Sequence, residues 1–343
     1  MIILGIESSC DETAAAVMEN DNRLLADVVD SQIEIHGKYG GVVPELASRK
    51  HMENIYPVVM EALSRAGISL KEVDGIAVTR GPGLTGCLLT GVSFAKALAM
   101  VREIPYTGID HMAGHLLSVL LSENKPSFPY IALVASGGHS SIFAVYSPQD
   151  FRLLGQTRDD AAGEAFDKVA KILNLGYPGG PVISRLSEKG NAEKISFPRS
   201  WLEPDSFDFS FSGLKTSVAG YVNELSSRKS TDLPPGKTGE ATVHDICASF
   251  QEAVVDVLTE KTIRAAVHHK IENIVLCGGV AANSRLRQVA GKRGLESGLS
   301  VFMPPVQYCT DNAAMIALAG YYYLPENNHC GYDMDVYSRA ARG

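Results

Sequence analysis

The chain has 343 residues, of which 45% are hydrophobic and 20% charged, a composition typical of a globular protein large enough for two domains. Its formal net charge of −8 disfavours a protein that holds nucleic acid alone on a broad basic face. Its six cysteines form no CxxC pair and no apolar run is long enough to span a membrane, which disfavours disulfide-rich, zinc-finger and membrane proteins.

In chain order, the first part of the sequence alternates between predicted strands and helices. Buried strands are predicted at residues 2–7, 13–19, 24–30 and 75–79. Helices are predicted over 48–66, 84–100 and 111–121, with Gly67 ending the first of them. The apolar opening segment has no basic start, so we interpret it as a strand and not as a signal peptide.

The second part of the sequence repeats this order. Strands are predicted at 130–135, 140–146, 151–157 and 273–277. Helices are predicted over 163–173, 246–268, 283–290 and 312–321, and the Ser-, Pro- and Gly-rich stretch 226–240 predicts a surface loop.

Two similar α/β halves with a cleft between them are typical of the actin-like ATPase fold shared by sugar kinases, Hsp70 and actin (ASKHA). The predicted domains are 1–122 and 123–305, and 306–343 is predicted as a C-terminal helix and tail that packs back on the first domain.

Three predicted strands end in loops that suit anionic ligands. The first carries Asp11 and Glu12, the second is the turn at 134–139, and the third leads through a glycine pair to Asn283. Paired glycines let backbone N–H groups approach phosphate oxygens, and a helix start favours an anion or a nucleotide edge. None of the three loops is a P-loop or a GxGxxG motif, which disfavours a standard NTPase or dehydrogenase.

A histidine pair indicates a candidate metal site. His111 and His115 lie four residues apart on one predicted helix face, so both imidazoles could reach one ion, although either could instead cap, pack or face solvent. Asp311 is a candidate third ligand, with helix capping as its alternative role. Two imidazoles and a carboxylate suit zinc or iron(II), between which the sequence does not choose. Met112 stands where HExxH metalloproteases carry glutamate, which argues against peptide hydrolysis.

A series of motifs resembles the bacterial TsaD proteins, also called the Kae/Gcp or "glycoprotease" family. The motifs are GIESSCDET at 5–13, GVVPE at 41–45, GPGL at 81–84, the pair His111 and His115, SGGH at 136–139, DDAAGEAFDK at 159–168, YPGGP at 177–181, FSFSGLKT at 209–216 and GGVAAN at 278–283. So many blocks in order make chance similarity implausible.

The resemblance implies the activity and the site residues. It implies a metal-assisted acyltransferase that moves the threonylcarbamoyl group from threonylcarbamoyl-AMP to N6 of the adenosine 3′ of the anticodon (position 37), in tRNAs that read codons beginning with A. The implied ligands of one divalent ion, iron(II) or zinc, are His111, His115 and Asp311. Asp11 and Glu12 match acids that the family needs for activity, and either could remove the amine proton. The implied substrate contacts are Val134, Ala135, Ser136, Gly137, Gly138, Asp167, Gly180 and Asn283.

The resemblance also implies partners and a compartment. Besides tRNA, the implied partners are a TsaB-like pseudo-paralogue and a TsaE-like ATPase, in the cytoplasm and away from membranes. Partner subunits would help to hold the RNA, because the one dense basic strip, 285–293, is more often a solvated helix face than a phosphate contact. Ser184 stands where family members often carry aspartate, which leaves one hydrogen bond to a ribose or base in question.

Three alternative functions stay open from the sequence. The first is a small-molecule kinase of the same fold with ATP as its true substrate, which gives the histidine pair no task. The second is a metalloprotease. The third is a non-catalytic nucleotide-binding subunit, against which the presence of Asp11, His111, His115 and Asp311 together counts.

Overall fold

The computed structural model describes residues 1–203, 205–227, 241–326 and 330–339. The chain divides into two compact units, of which one comprises 1–126, 145–151 and 304–343 and the other 127–144 and 152–303. Of the loop predicted at 226–240, the first two residues belong to a helix and 228–240 lie outside the described residues. Within the described ranges, no helix has both the length and the apolar character that crossing a bilayer requires.

The first unit is built on a five-stranded sheet with the spatial order β3-β2-β1-β4-β5. The strands are β1 (Ile2–Glu7), β2 (Glu12–Glu19), β3 (Arg23–Ser31), β4 (Gly75–Gly81) and β5 (Tyr106–Asp110). β1 runs antiparallel to β2 and parallel to β4, which in turn runs parallel to β5. The carboxyl ends of β1, β4 and β5 therefore share one edge, the usual place for functional residues in such sheets.

Helices cover both faces of this sheet. They are α1 (Ile33–Gly37), α2 (Pro44–Ala66), α3 (Thr85–Arg102), α4 (His111–Leu117) and, from the end of the chain, α10 (Ala313–Tyr323). Because side chains alternate along a strand, Leu4 and Ile6 pack in the cluster formed by α2 and α3, whereas Gly5 faces α10. A Cβ on Gly5 would lie 2.5 Å from the carbonyl oxygen of Ala313, so glycine is what lets the start of α10 lie directly on β1.

The second unit repeats this plan with the strand order β8-β7-β6-β9-β10. Its strands are β6 (Tyr130–Ala135), β7 (Ser140–Val145), β8 (Phe151–Gln156), β9 (Asn273–Cys277) and β10 (Ser300–Phe302). Its helices are α5 (Ala162–Ile172), α6 (Gly179–Ser187), α7 (Ser212–Ser227), α8 (Val243–His269) and α9 (Ser284–Glu296). β6 pairs in parallel with β9, and β9 pairs in parallel with β10. The central strand β6 therefore corresponds to β1 of the first sheet, which pairs in parallel with β4.

Most predicted elements are confirmed, and three of their bounds shift by four residues or more. The helix predicted over 111–121 ends at Leu117 and continues as a 3-10 turn. The helix predicted from residue 48 begins at Pro44, a residue favoured in a first helical turn. The helix predicted to end at residue 290 continues to Glu296. The sequence analysis missed β5, β10, α1, α6 and α7.

Candidate metal centre and substrate loops

α4 carries both histidines, and its first turn is held by the residue that precedes it. Asp110 is the N-cap: its Oδ1 accepts hydrogen bonds from the backbone N–H groups of Met112 (2.7 Å) and Ala113 (3.3 Å). His111 is 6% exposed and His115 is fully buried. Because the two histidines are four positions apart, their rings lie on one helix face with their centroids 4.7 Å apart.

Asp311 completes the predicted cluster. Its Oδ1 lies 3.1 Å from Nε2 of His115 and 3.4 Å from Nε2 of His111, and the potential ligand atoms all lie within 4.8 Å of one another. The alternative role of Asp311 as a helix cap is wrong, because the neighbouring Asn312 caps α10 by accepting a hydrogen bond from Met315 N–H at 2.9 Å. Capping by Asn312 leaves the Asp311 carboxylate available to the histidines.

Glu7, which the sequence analysis did not identify, contacts His111 on the ring nitrogen that faces away from Asp311. This fully buried carboxylate at the end of β1 lies 3.0 Å from Nδ1 of His111. Glu7 also accepts hydrogen bonds from the Thr79 hydroxyl and the Ser9 backbone N–H, each at 2.6 Å. A carboxylate at Nδ1 holds a proton on that nitrogen and turns the Nε2 lone pair towards a metal. The one sequence feature that could have revealed Glu7 is a glutamate ending an otherwise apolar strand.

The electrostatics of the cluster favour charged groups in spite of burial. Burial lowers the pKa of His111, but the negative charges of Asp311 and Glu7 outweigh it and hold that pKa well above its ordinary value. Burial raises the pKa of Asp311, yet the attraction of His111 and His115 keeps it well below its usual range. A divalent cation would take the place of the proton that these groups share. Two imidazole nitrogens and a carboxylate oxygen fit zinc or iron(II).

Of the predicted catalytic acids, Asp11 lies in the loop between β1 and β2, and Glu12 is the first residue of β2. Asp11 is 9% exposed, and its backbone carbonyl accepts a hydrogen bond from Gln32 N–H at 2.9 Å. Burial, followed by the charges of Asp311 and Asp11, raises the pKa of Glu12 to about 9. These causes favour the protonated form of Glu12 in the metal-free protein. The loop is held by His51 of α2, whose ring nitrogens lie 2.9 Å from the Cys10 carbonyl oxygen and 2.8 Å from the Thr13 hydroxyl.

In the second unit, the predicted loop from Val134 to Gly138 ends β6 in a tight turn. Val134 and Ala135 are fully buried. Ser136 closes the turn, since its N–H donates to the His139 carbonyl (2.8 Å) and its hydroxyl accepts from His139 N–H (3.1 Å). A Cβ added to Gly137 or Gly138 would meet nothing within 4 Å. The backbone of this turn is therefore accessible to a ligand.

Two other loops of the second unit pack against this turn. A Cβ on Gly163, at the start of α5, would lie 2.5 Å from the Ser136 carbonyl oxygen. Gly278, which follows β9 with φ 86°, lies equally close to the Ala135 carbonyl oxygen, since a Cβ there would approach it to 2.4 Å. The ends of β6 and β9 and the start of α5 therefore meet at one place.

Of the remaining predicted substrate contacts, Asp167 and Asn283 form hydrogen bonds within the second unit. Asp167 Oδ1 accepts a hydrogen bond from Gly179 N–H at 2.7 Å, which ties α5 to the start of α6. Gly180 faces open space. Asn283 caps α9 by accepting from Leu286 N–H at 3.0 Å, and its amide donates to Gln251 Oε1 at 2.7 Å. The side chain of Asp167 thus positions α6 against α5, and that of Asn283 fixes the start of α9.

Ser184 and the basic strip lie near each other in the second unit. Ser184 lines a groove of about 570 Å³ together with Gln251 and Arg285.

The basic residues of the strip have partners within the second unit. Arg285 forms a two-bond ion pair with Glu252 (2.7 and 2.8 Å), and Arg293 pairs with Asp256 at 2.6 Å. Lys292 lies 3.9 Å from Glu296, and Arg287 donates to the Ala281 carbonyl at 2.7 Å. These pairings favour a structural helix face over a phosphate-binding strip.

Sequence comparisons give a consistent result. A family model described as "TsaD: tRNA N6-adenosine threonylcarbamoyltransferase" matches residues 23–318. A protein of that name from Desulfotalea psychrophila is 54% identical over 343 residues, which is 100% of this chain and 98% of the relative. Another from Syntrophus aciditrophicus is 55% identical over 320 residues, covering 93% of this chain and 91% of the relative.

Structural comparisons confirm the predicted actin-like fold. HypF from T. kodakarensis aligns with a TM-score of 0.62 and 14% identity, over 95% of this chain and 48% of that protein. The activator of 2-hydroxyisocaproyl-CoA dehydratase from Clostridium difficile aligns with a TM-score of 0.55 and 15% identity, over 95% of this chain and 96% of the activator. At such low identity the likeness concerns the fold alone.

Proposed function

This chain belongs to the TsaD family of tRNA N6-adenosine threonylcarbamoyltransferases, and from that premise we propose that it transfers a threonylcarbamoyl group from threonylcarbamoyl-AMP to N6 of adenosine 37 in tRNAs that read codons beginning with A. The observation that carries the proposal is the convergence of His111, His115 and Asp311 within 4.8 Å. The names of the curated relatives support a transferase over a kinase, a protease or a non-catalytic subunit.

The chemistry is acyl transfer from a mixed anhydride to a weakly nucleophilic aromatic amine. The N6 lone pair attacks the carbamoyl carbon, the C–O bond to the phosphate breaks, and AMP leaves with that electron pair while N6 loses a proton. A zinc or iron(II) ion held by His111, His115 and Asp311 would act as a Lewis acid towards the phosphate or carbamoyl oxygen. Glu7, 3.0 Å from Nδ1 of His111, would hold the proton on that nitrogen and leave the Nε2 lone pair free for the ion.

The protein's own groups would bind the adenylate and move the proton. We assign the phosphate to the open backbone of Gly137 and Gly138, where donors need not reorganise during reaction. We also assign Asp167, Gly180 and Asn283 to substrate contact, with Asp167 holding the start of α6 and Asn283 that of α9. We assign proton removal from N6 to Asp11, because burial raises the pKa of Glu12 and disfavours its charged form. Protonated Glu12 would instead donate a hydrogen bond.

The test is transfer in a reconstituted reaction containing threonine, bicarbonate, ATP, tRNA and the partner proteins, followed by mass spectrometry of the digested tRNA. His111→Ala and His115→Ala should each lower metal content and reduce the modified nucleoside by about a hundredfold or more. His268→Ala, which removes an exposed histidine of α8, is the matched control. Wild-type yields from metal-free variants would refute the metal role.

An exposed apolar stripe supports the partner assignment. Met52, Tyr56 and Met60 follow one another at helical spacing on α2 and are 63%, 62% and 45% exposed. We propose that this stripe docks the TsaB-like pseudo-paralogue, that a TsaE-like ATPase joins the assembly, and that the whole acts on tRNA in the cytoplasm. Tyr56→Asp should abolish complex formation in analytical ultracentrifugation while leaving the free chain folded, and an unchanged complex would contradict this docking site.

A further inference from the structure

The described C-terminal segment, residues 330–339, is attached to the edge of the first sheet beside the start of α4. Cys330 N–H donates to the carbonyl of Tyr106 in β5 at 3.1 Å, and Tyr337 N–H donates to that of Arg80 in β4 at 3.0 Å. Between them, Met334 is buried in the core cluster formed with α2 and α3. This segment is therefore anchored both by backbone hydrogen bonds and by apolar burial.

Tyr337 connects this segment to the metal-binding helix through one carboxylate. Its hydroxyl donates to Asp110 Oδ2 at 2.5 Å, and its ring lies under the Arg80 guanidinium, 5.4 Å from carbon to ring centroid. The other oxygen of Asp110 caps α4 at Met112 and Ala113. Burial, followed by the charge of Asp110, raises the pKa of Tyr337, so the hydroxyl keeps the proton it donates. Asp110 thus has both oxygens engaged, one by Tyr337 and one by the helix.

We propose that Tyr337 is a positioning residue, which holds the Asp110 carboxylate and thereby the first turn of α4 and the orientation of His111. α4 has only seven residues, so its N-cap contributes a large share of its stability. His111 is the first of these residues and lies directly after the cap. A small displacement of Asp110 would therefore be passed to His111 before any other side chain of the site.

The test compares Tyr337→Phe with Tyr332→Phe. Both variants remove a hydroxyl from an aromatic ring of the same segment, but Tyr332 is exposed and stacks on Tyr106, 5.9 Å away. Hydrogen exchange of the Met112 and Ala113 amides reports the helix start, and titration of the metal-free protein with zinc reports the ligand geometry. We expect Tyr337→Phe to accelerate exchange and to weaken zinc binding, each by about three- to tenfold, and Tyr332→Phe to match the wild type.

A double-mutant cycle then identifies the route of the effect. Asp110→Ala should reproduce both changes, and adding Tyr337→Phe to it should change nothing further, because Tyr337 acts through Asp110. Additive effects, or wild-type exchange and zinc affinity in Tyr337→Phe, would overturn the inference. The inference takes its functional meaning from the proposed metal site, yet the two fail separately. A wild-type chain that binds no zinc or iron(II) would refute the metal site, whereas amide exchange would still decide the role of Tyr337.

Discussion

The predicted functional side chains of the first unit contact one another, whereas those of the second unit contact the backbone and side chains that shape their loops. His111, His115 and Asp311 meet through their polar atoms. By contrast, Asp167 binds the backbone of Gly179 and Asn283 caps its own helix. Side chains that converge in this way suit a metal ion, which needs several ligand atoms at once. An accessible glycine turn held from behind suits a phosphate group, which binds backbone N–H groups.

The largest effect on metal affinity should come from Glu7, whose carboxylate contacts Nδ1 of His111. Glu7 accepts three hydrogen bonds with two oxygens, and Glu7→Gln would leave one acceptor oxygen and place an amide group against a donor. We expect metal affinity to fall by about 10- to 100-fold, with transfer recovering when metal is in excess. Glu19→Gln, on the exposed end of β2, is the control. If Glu7→Gln bound metal as tightly as the wild type, the contact of Glu7 with His111 would not contribute to metal binding.

The next prediction tests whether the glycine turn of the second unit binds the phosphate of the adenylate. Gly137→Ala has room for its methyl group, so the thermal midpoint should not change, but the methyl would stand where the phosphate approaches. We expect KM for the adenylate to rise about tenfold with a smaller change in kcat. Gly213→Ala, which also has open space at its Cβ, should change neither constant. An unchanged KM in Gly137→Ala would place the phosphate away from this turn.

A smaller effect is expected at Glu12. Because burial favours a protonated Glu12, Glu12→Gln preserves a neutral donor, and kcat should fall only by about two- to fivefold. Asp11→Asn removes the proposed base, and kcat should fall by about a hundredfold or more. Single-turnover transfer measures both. The reverse order of the two losses would exchange the assigned roles of these acids.

The sequence predicts what depends on local patterns and misses what depends on distant neighbours. Buried apolar runs revealed β1 and β6 with their bounds, and spacing alone revealed the histidine pair. α6 was missed because it begins with Gly-Gly-Pro, which locally indicates a turn, whereas Asp167 of another helix holds its start. Glu7 was missed because its partners stand 72 and 104 residues away. Asp311 was a candidate ligand from its place before a predicted helix, but no local pattern separates a ligand there from a capping residue, and the family resemblance favoured the ligand.

The smallest expected effect concerns Asp27 of β3, which lies behind the start of α10. Burial raises its pKa to about 6, although hydrogen bonds from the backbone of Ala314 and Ala313 oppose that rise. When the pKa of a carboxyl is higher in the folded than in the unfolded state, the folded state binds more protons between those two pKa values. The free energy of unfolding should therefore fall as pH rises from about 4 to about 6 and then level off. Asp27→Asn keeps an acceptor without the charge, so it should remove this slope and add about 1 to 3 kcal/mol at pH 7. Urea unfolding of the metal-free chain at several pH values measures the difference, and parallel pH profiles for the two proteins would contradict it. That slope would show that the buried Asp27 carboxylate destabilises the first unit at neutral pH, at a position in contact with the start of α10.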